Sequence, residues 1–207
     1  MDALNSMTMF DTLLMILISI ILIVGVYQFY FFPQNHPLKE PRELSTKADD
    51  KIPFIPSWAW LYSGLYYPMI ISLVFSINSF QQYVYIAVNF LLLAFIQILL
   101  FTFYPVVTPA RWRDFSDDSV KSRKFLKYIQ SFDAPTNCFP SMHVSVAMMT
   151  SLHMINNGAA SHPVVVAAIW LFPVFIAISC LLTKQHYIVD TIVGALLGAF
   201  VFWLYVV

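Results

Sequence analysis

The chain has 207 residues, of which 59% are hydrophobic and only 11% charged, with a mean hydropathy of +0.73; a water-soluble domain typically carries about 25% charged residues, so a soluble globular fold is excluded. Eleven Lys and Arg balance eleven Asp and Glu, and this zero net charge argues against nucleic acid as a partner, because phosphate-backbone binding needs a basic excess. At about 20 apolar residues per helical crossing of a roughly 30 Å hydrocarbon core, the length accommodates six crossings and leaves no room for a second folded domain.

Apolar runs place six helical spans, at about 12–32, 57–77, 83–104, 141–157, 163–182 and 187–207. The expected fold is all-α, an integral membrane bundle of six transmembrane helices that occupies 1–207 as one domain. The first run follows MDALNSMTMFD, which holds no Lys or Arg, and it exceeds 20 residues; it reads as a retained helix and not as a cleaved leader. The segment PQNHPLKEPRELSTKADDKIPFIP (33–56) is rich in Pro and mixed charge and reads as a membrane-surface loop. Pro68 and Pro173 should kink their spans. Trp58, Trp60 and Tyr62, and again Trp203 and Tyr205, sit where interfacial aromatics are expected. A second polar loop covers 105–140. The fourth span is short and carries Ser141, His143, Ser145, Thr150, Ser151 and His153, so one of its faces must look into the bundle or a polar cavity. Cys138 and Cys180 are too few for a disulfide framework or a four-cysteine zinc site, and Cys180 reads as a small buried hydrophobe.

Six crossings fix a parity. Both long loops and the link at 183–186 fall on one face, and both termini on the other. Lys39, Arg42, Lys47 and Lys51, then Arg111, Arg113, Lys121, Arg123, Lys124 and Lys127, then Lys184 account for every cation in the chain, all on the first face. Such bias marks a cytoplasmic face, and it also suits an anionic substrate.

Three stretches on that face place polar groups at span edges: YPVVTPARW (104–112), CFPSMHVSVA (138–147) and LTKQHYIVDTIVG (182–194). His186 and Asp190 are four apart, so on a helix Asp190 can accept from the imidazole, fix its tautomer and leave the other nitrogen as a nucleophile. His143 lies in the first turn of the fourth span, after Pro140 and Ser141, where free helix amides attract anions. Arg111 offers a planar fork for two phosphate oxygens, and Lys184 adds a charge beside His186. Two histidines, one carboxylate and converging cations, with no carboxylate cluster to hold a divalent ion, suit phosphoryl transfer through a phosphohistidine without metal or cofactor. Arg113, Lys121, Arg123, Lys124 and Lys127 read as solvated loop charges, as do Asp114, Asp117, Asp118 and Asp133; His36, His153 and His162 read as structural.

These motifs resemble the type 2 phosphatidic acid phosphatase superfamily, six-helix membrane enzymes that dephosphorylate lipid phosphates or move phosphate-linked head groups. Pro140-Ser141-Met142-His143 stands for its Pro-Ser-Gly-His, with Met142 in place of Gly. His186-Tyr187-Ile188-Val189-Asp190 stands for its His-x-x-x-Asp, and Ser179-Cys180 replaces the usual Ser-Arg upstream. Phe-Pro-Ser-x-His, Thr-Lys-x-His-Tyr and Ile-Pro-Phe-Ile-Pro at 52–56 are similar to the branch that includes inositol phosphorylceramide synthases. The resemblance implies that His186 attacks phosphorus, Asp190 orients it, His143 protonates the leaving alkoxide, and Arg111 and Ser141 bind phosphate; Lys184 stands in for the missing arginine charge. It implies a lipid phosphate as partner among membrane lipids. It also implies an extracytoplasmic site, the opposite of the cation bias. Hydrolysis of a lipid phosphate and transfer of a head group both fit the residues. A scramblase-like or transport scaffold on the same fold, and a proton-coupled transporter, are the rivals from other classes; the latter needs its ionisable groups near the midplane rather than at span edges.

Overall fold

Thr8 starts the first helix with a reciprocal cap: its hydroxyl accepts from the Asp11 amide, and the Asp11 carboxylate accepts from the Thr8 amide. The structure, a computed structural model, describes residues 7–36, 38–115, 120–159 and 162–207. Helix α1 (Met9–Asn35) is followed by the short α2 (Lys47–Lys51), a composite span over Pro56–Ser76 whose α-helical part is α3 (Tyr66–Ser72), then α4 (Phe80–Phe103), α5 (Lys121–Phe132), α6 (Met142–Asn156), α7 (Pro163–Leu182) and α8 (Ile188–Val206). Five of these, α1, the composite span, α4, α7 and α8, are long and apolar enough to cross a membrane.

The composite span differs from the uniform helix its hydropathy suggests. A 3-10 turn at Pro56–Trp58 leads into a π-helical stretch, Trp60–Leu65, before the α-helical turns around Pro68. Proline has no amide to give to the carbonyl four residues back, so the preceding turn is free to widen. The fourth expected span is α6, whose 15 residues and polar content leave it outside the five. Ser145, Thr150, Ser151 and His153 on it are fully buried. The polar residues therefore face protein rather than lipid. A helix also appears where 105–140 reads as a loop: α5 is strongly amphipathic, with Leu126 fully buried and Lys121 and Lys124 exposed.

Lipid gives apolar helices no reason to prefer each other over acyl chains, so association depends on close backbone approach and interhelical hydrogen bonds. Both are present around α6. Gly194 and Gly198 of α8 lie against the backbone of Ser141 and Ser145; a Cβ at Gly194 would sit 2.6 Å from the Ser141 carbonyl oxygen, and one at Gly198 would collide with that of Ser145. The Ser151 hydroxyl donates to the Ile169 carbonyl of α7 at 2.7 Å, and Asn89 of α4 donates to the Val201 carbonyl of α8 at 2.9 Å. Bonds of this kind contribute about 0.6 kcal/mol each on average. They hold α6 at the centre, with α7 and α8 at its sides.

The first long loop is not a free surface segment. Arg42 pairs with the second loop through its amide on the Pro105 carbonyl and its carbonyl under the Val107 amide, and the Ile55 amide donates to the Leu182 carbonyl at the end of α7. Both loops are thereby folded over one end of the bundle.

Candidate active site

Two helix starts meet at that end. Ser141 caps α6, accepting from the Val144 amide, and its own amide donates to the Asp190 carbonyl of α8 at 3.0 Å. Because Gly194 lets the two backbones touch, the residues just inside and just before these helices are brought together. The rings of His143 and His186 stand with centroids 6.2 Å apart at 61°.

His186 is almost fully buried. Its Nδ1 lies 2.9 Å from the Cys138 carbonyl oxygen and 3.5 Å from Asp190 Oδ2. A carbonyl can only accept, so Nδ1 is the donor, and in the neutral imidazole the lone pair is on Nε2. The expected Asp190 contact is thus the longer of two. Asp190 Oδ2 also accepts from the Tyr187 amide at 2.9 Å, closing the first turn of α8. His143 has Tyr62 stacked on its ring at 4.2 Å between centroids and Tyr66 at 4.7 Å. One histidine is fixed by polar partners, the other by aromatic faces.

The turn before His186 is a tight helix ending. The Gln185 amide reaches the Cys180 carbonyl and the Lys184 amide the Leu181 carbonyl, with Lys184 at φ +57°. This is the arrangement in which glycine usually occupies the left-handed position; here it holds a lysine, which folds back into the protein. Lys184 Nζ donates to the Asp49 carbonyl at 2.6 Å and lies 4.7 Å above the Trp112 ring. Burial lowers the pKa of this ammonium, against the pull of Asp50 and Asp49. Arg111 donates to Asp50 at 2.9 Å, both side chains being about half exposed; that bond raises the guanidinium's pKa and holds the Asp50 carboxyl below its ordinary value. Ser141 is fully buried, its hydroxyl used in the cap and 3.9 Å from the Cys180 sulfur. Of the six expected site residues, His143, His186 and Asp190 converge. Lys184 flanks them with a protein partner, Arg111 stands at the rim, and Ser141 lies beneath.

Three further residues belong here. Asp49, buried, accepts from the Ile188 amide at 2.8 Å and so caps α8 from 139 residues away in sequence. Arg113, expected to be solvated, is half-buried and donates to the Asp133 and Ala134 carbonyls and to Gln185 Oε1; it ties the loop before α6 to the turn before α8. Asp133, also expected to be solvated, accepts from the Tyr30 hydroxyl at 2.8 Å and from that of Tyr62 at 3.5 Å. Burial raises its pKa, opposed by Arg113 and by the Tyr30 hydrogen bond. Asp117 and Asp118 lie outside the described residues.

Beside His143 opens a chamber of about 210 Å³, walled by tyrosines of α1, the composite span and α5, with Asp133 and Ser63 among its lining. The other histidines differ. His153 is buried with Nε2 3.0 Å from Asn89 Oδ1, His36 lies against its own helix carbonyl at Phe32, and His162 accepts from the Val164 amide at the start of α7.

Fold and site together describe a multi-pass helical membrane protein with two histidines facing each other at one end of its bundle. The model of the PAP2 superfamily matches residues 45–204, and the chain belongs to that superfamily, as the Pro-Ser-x-His and His-x-x-x-Asp motifs implied. Comparison with curated proteins and with solved structures finds no match.

Proposed function

We propose that this protein is a lipid phosphate phosphatase that works through a phosphohistidine. The observation that carries this reading is the pair of imidazoles at 6.2 Å, one of which has its Nδ1 proton committed to the Cys138 carbonyl. His186 Nε2 attacks phosphorus, the ester P–O bond breaks, and His143 gives a proton to the departing alkoxide. Water then attacks phosphorus while His143 takes its proton; the P–N bond breaks, its electron pair returns to His186 Nε2, and phosphate leaves. Asp190 and the Cys138 carbonyl stabilise the charge that His186 acquires. Lys184, Arg111 and the Met142 and His143 amides at the start of α6 neutralise the phosphoryl oxygens. In this reading α6 is a sixth crossing, about 22 Å long at 1.5 Å per residue, and the whole chain is one domain.

Superfamily membership supports phosphatase chemistry. Purified protein in detergent is expected to release phosphate from phosphatidic acid or a related lipid phosphate, and His186→Ala to lose at least a thousandfold in kcat with the same elution profile. Turnover retained by His186→Ala overturns the mechanism. The size of the chamber beside His143 favours a second reading, transfer to an alcohol instead of water. Thin-layer analysis of products with and without acceptor alcohols separates the two.

A further inference from the structure

The chamber beside His143 does not end at the tyrosines. A second cavity of about 130 Å³, partly open to the outside, adjoins it, sharing Tyr27, Tyr30, Tyr66, Tyr67 and Met142, and extends along α1 between that helix and α3, α4 and α6. Tyr30, Ala94 and Met142 line its upper end, and Ser19, Ile77 and Tyr83 its lower end. From Tyr30 to Ser19 along α1 is about 16 Å at 1.5 Å per residue, roughly half the hydrocarbon thickness of a bilayer and so the depth of one leaflet.

The polarity of the lining changes along this route. The upper chamber has His143, Asp133 and Ser63. At the junction the hydroxyls of Tyr27 and Tyr67 bond to each other across α1 and the composite span. Beyond them every lining side chain is apolar except Ser19 and Tyr83, whose hydroxyls are satisfied by each other at 3.1 Å. A passage with hydrogen-bonding groups at one end and none unpaired at the other fits an amphiphile whose oxygen is held at His143 and whose body is a hydrocarbon chain. Water would find no partners in the lower part.

We infer that the hydrocarbon chain of the lipid substrate is taken up between the helices along α1 instead of lying in the surrounding bilayer. The inference rests on the phosphatase reading of the site and specifies its substrate. It also gives α1, which precedes the matched residues 45–204, a role in chain selection. The Ser19–Tyr83 bond forms the floor of the passage and sets the longest chain it accommodates.

The test uses alkyl phosphates of graded chain length on the full protein in nanodiscs. Wild-type kcat/KM should rise with chain length and then fall beyond an optimum. Ala87→Phe, which fills the passage midway, should shift the optimum to shorter chains and cut turnover of the wild-type optimum at least tenfold. Tyr83→Ala, which opens the floor, should shift it to longer chains. Opposite shifts cannot come from general loss of fold. Profiles of both variants with the same optimum as the wild type, whatever their height, overturn the inference. Failure of the phosphatase reading looks different: wild type then hydrolyses no alkyl phosphate of any length. In that case retention of the same compounds, measured by native mass spectrometry, must still show the two shifts in preferred length, and their absence overturns the passage on its own.

Discussion

Helix α6 carries two histidines, and they differ in almost every respect except residue type. His153, near the helix end, is completely buried, bonded to Asn89, and enclosed by the rings of Phe90, Phe202 and Tyr205. His143, in the first turn, borders open space and faces a second imidazole whose own proton is committed elsewhere. Both are polar residues on one largely buried helix. Burial alone does not distinguish a chemical group from a structural one; an adjoining cavity and a complementary partner do.

The largest effect that tests this contrast is on catalysis. His143→Ala should lose at least a hundredfold in kcat with little change in thermal midpoint, within the 10²- to 10⁴-fold that positioned proton transfer typically contributes. His153→Ala should do the reverse. It removes the partner of a buried amide oxygen, which costs about 1–3 kcal/mol, so the midpoint falls while the chemistry persists in the protein that remains folded. Activity assays paired with thermal melts in detergent measure both, and equal losses in the two variants would erase the distinction.

A smaller effect concerns what brings the histidines together. Gly194→Ala places a methyl group 2.6 Å from the Ser141 carbonyl, and overpacking of this kind costs about 1–3 kcal/mol. The helices must separate, and His143 moves with α6 relative to His186. A displacement near 1 Å can reduce rate about a hundredfold, so activity should fall about ten- to a hundredfold. Gly25→Ala, in α1 with no atom near its Cβ position, is the control and should be silent in both measurements.

The sequence makes the histidines legible because their signals are local. Pro-Ser-x-His marks a helix start, and His186 with Asp190 is a four-residue spacing. Five of the six expected spans are legible from hydropathy, though the composite build of Pro56–Ser76 is not, since apolarity does not separate π, 3-10 and α turns. What escapes is whatever depends on distant loops meeting. Asp49 has a visible local signal, the Thr46-x-x-Asp49 box that caps α2, but nothing local says that its other oxygen caps α8. Arg113 looks like its solvated neighbours, because the carbonyls that bind it belong to 133–134 and its amide partner to 185. Helix α5 is hidden by its cations, although Phe125, Leu126 and Ile129 have helical spacing. The tyrosine chamber is assembled from four separate elements and has no motif at all.

Arg111 provides the mildest test, at the boundary between a positioned charge and a solvated one. Its guanidinium is held by Asp50, and both groups are about half exposed, so the pair is screened and contributes little to stability. The Asp50 carboxyl has its pKa lowered by this bond; the pair is therefore intact above the ordinary carboxylate range and is lost as pH falls through the lowered value. At neutral pH a substrate phosphate must compete with Asp50 for the guanidinium. Asp50→Asn removes the competing charge and leaves Asp49, the cap of α8, in place. The expected outcome is a KM for lipid phosphate about two- to fivefold lower with kcat nearly constant, an advantage that shrinks at high salt. Arg111→Ala should raise KM instead. If both variants leave KM where it was, Arg111 serves only to tether α2, and the phosphate is held by Lys184 and the helix amides without it.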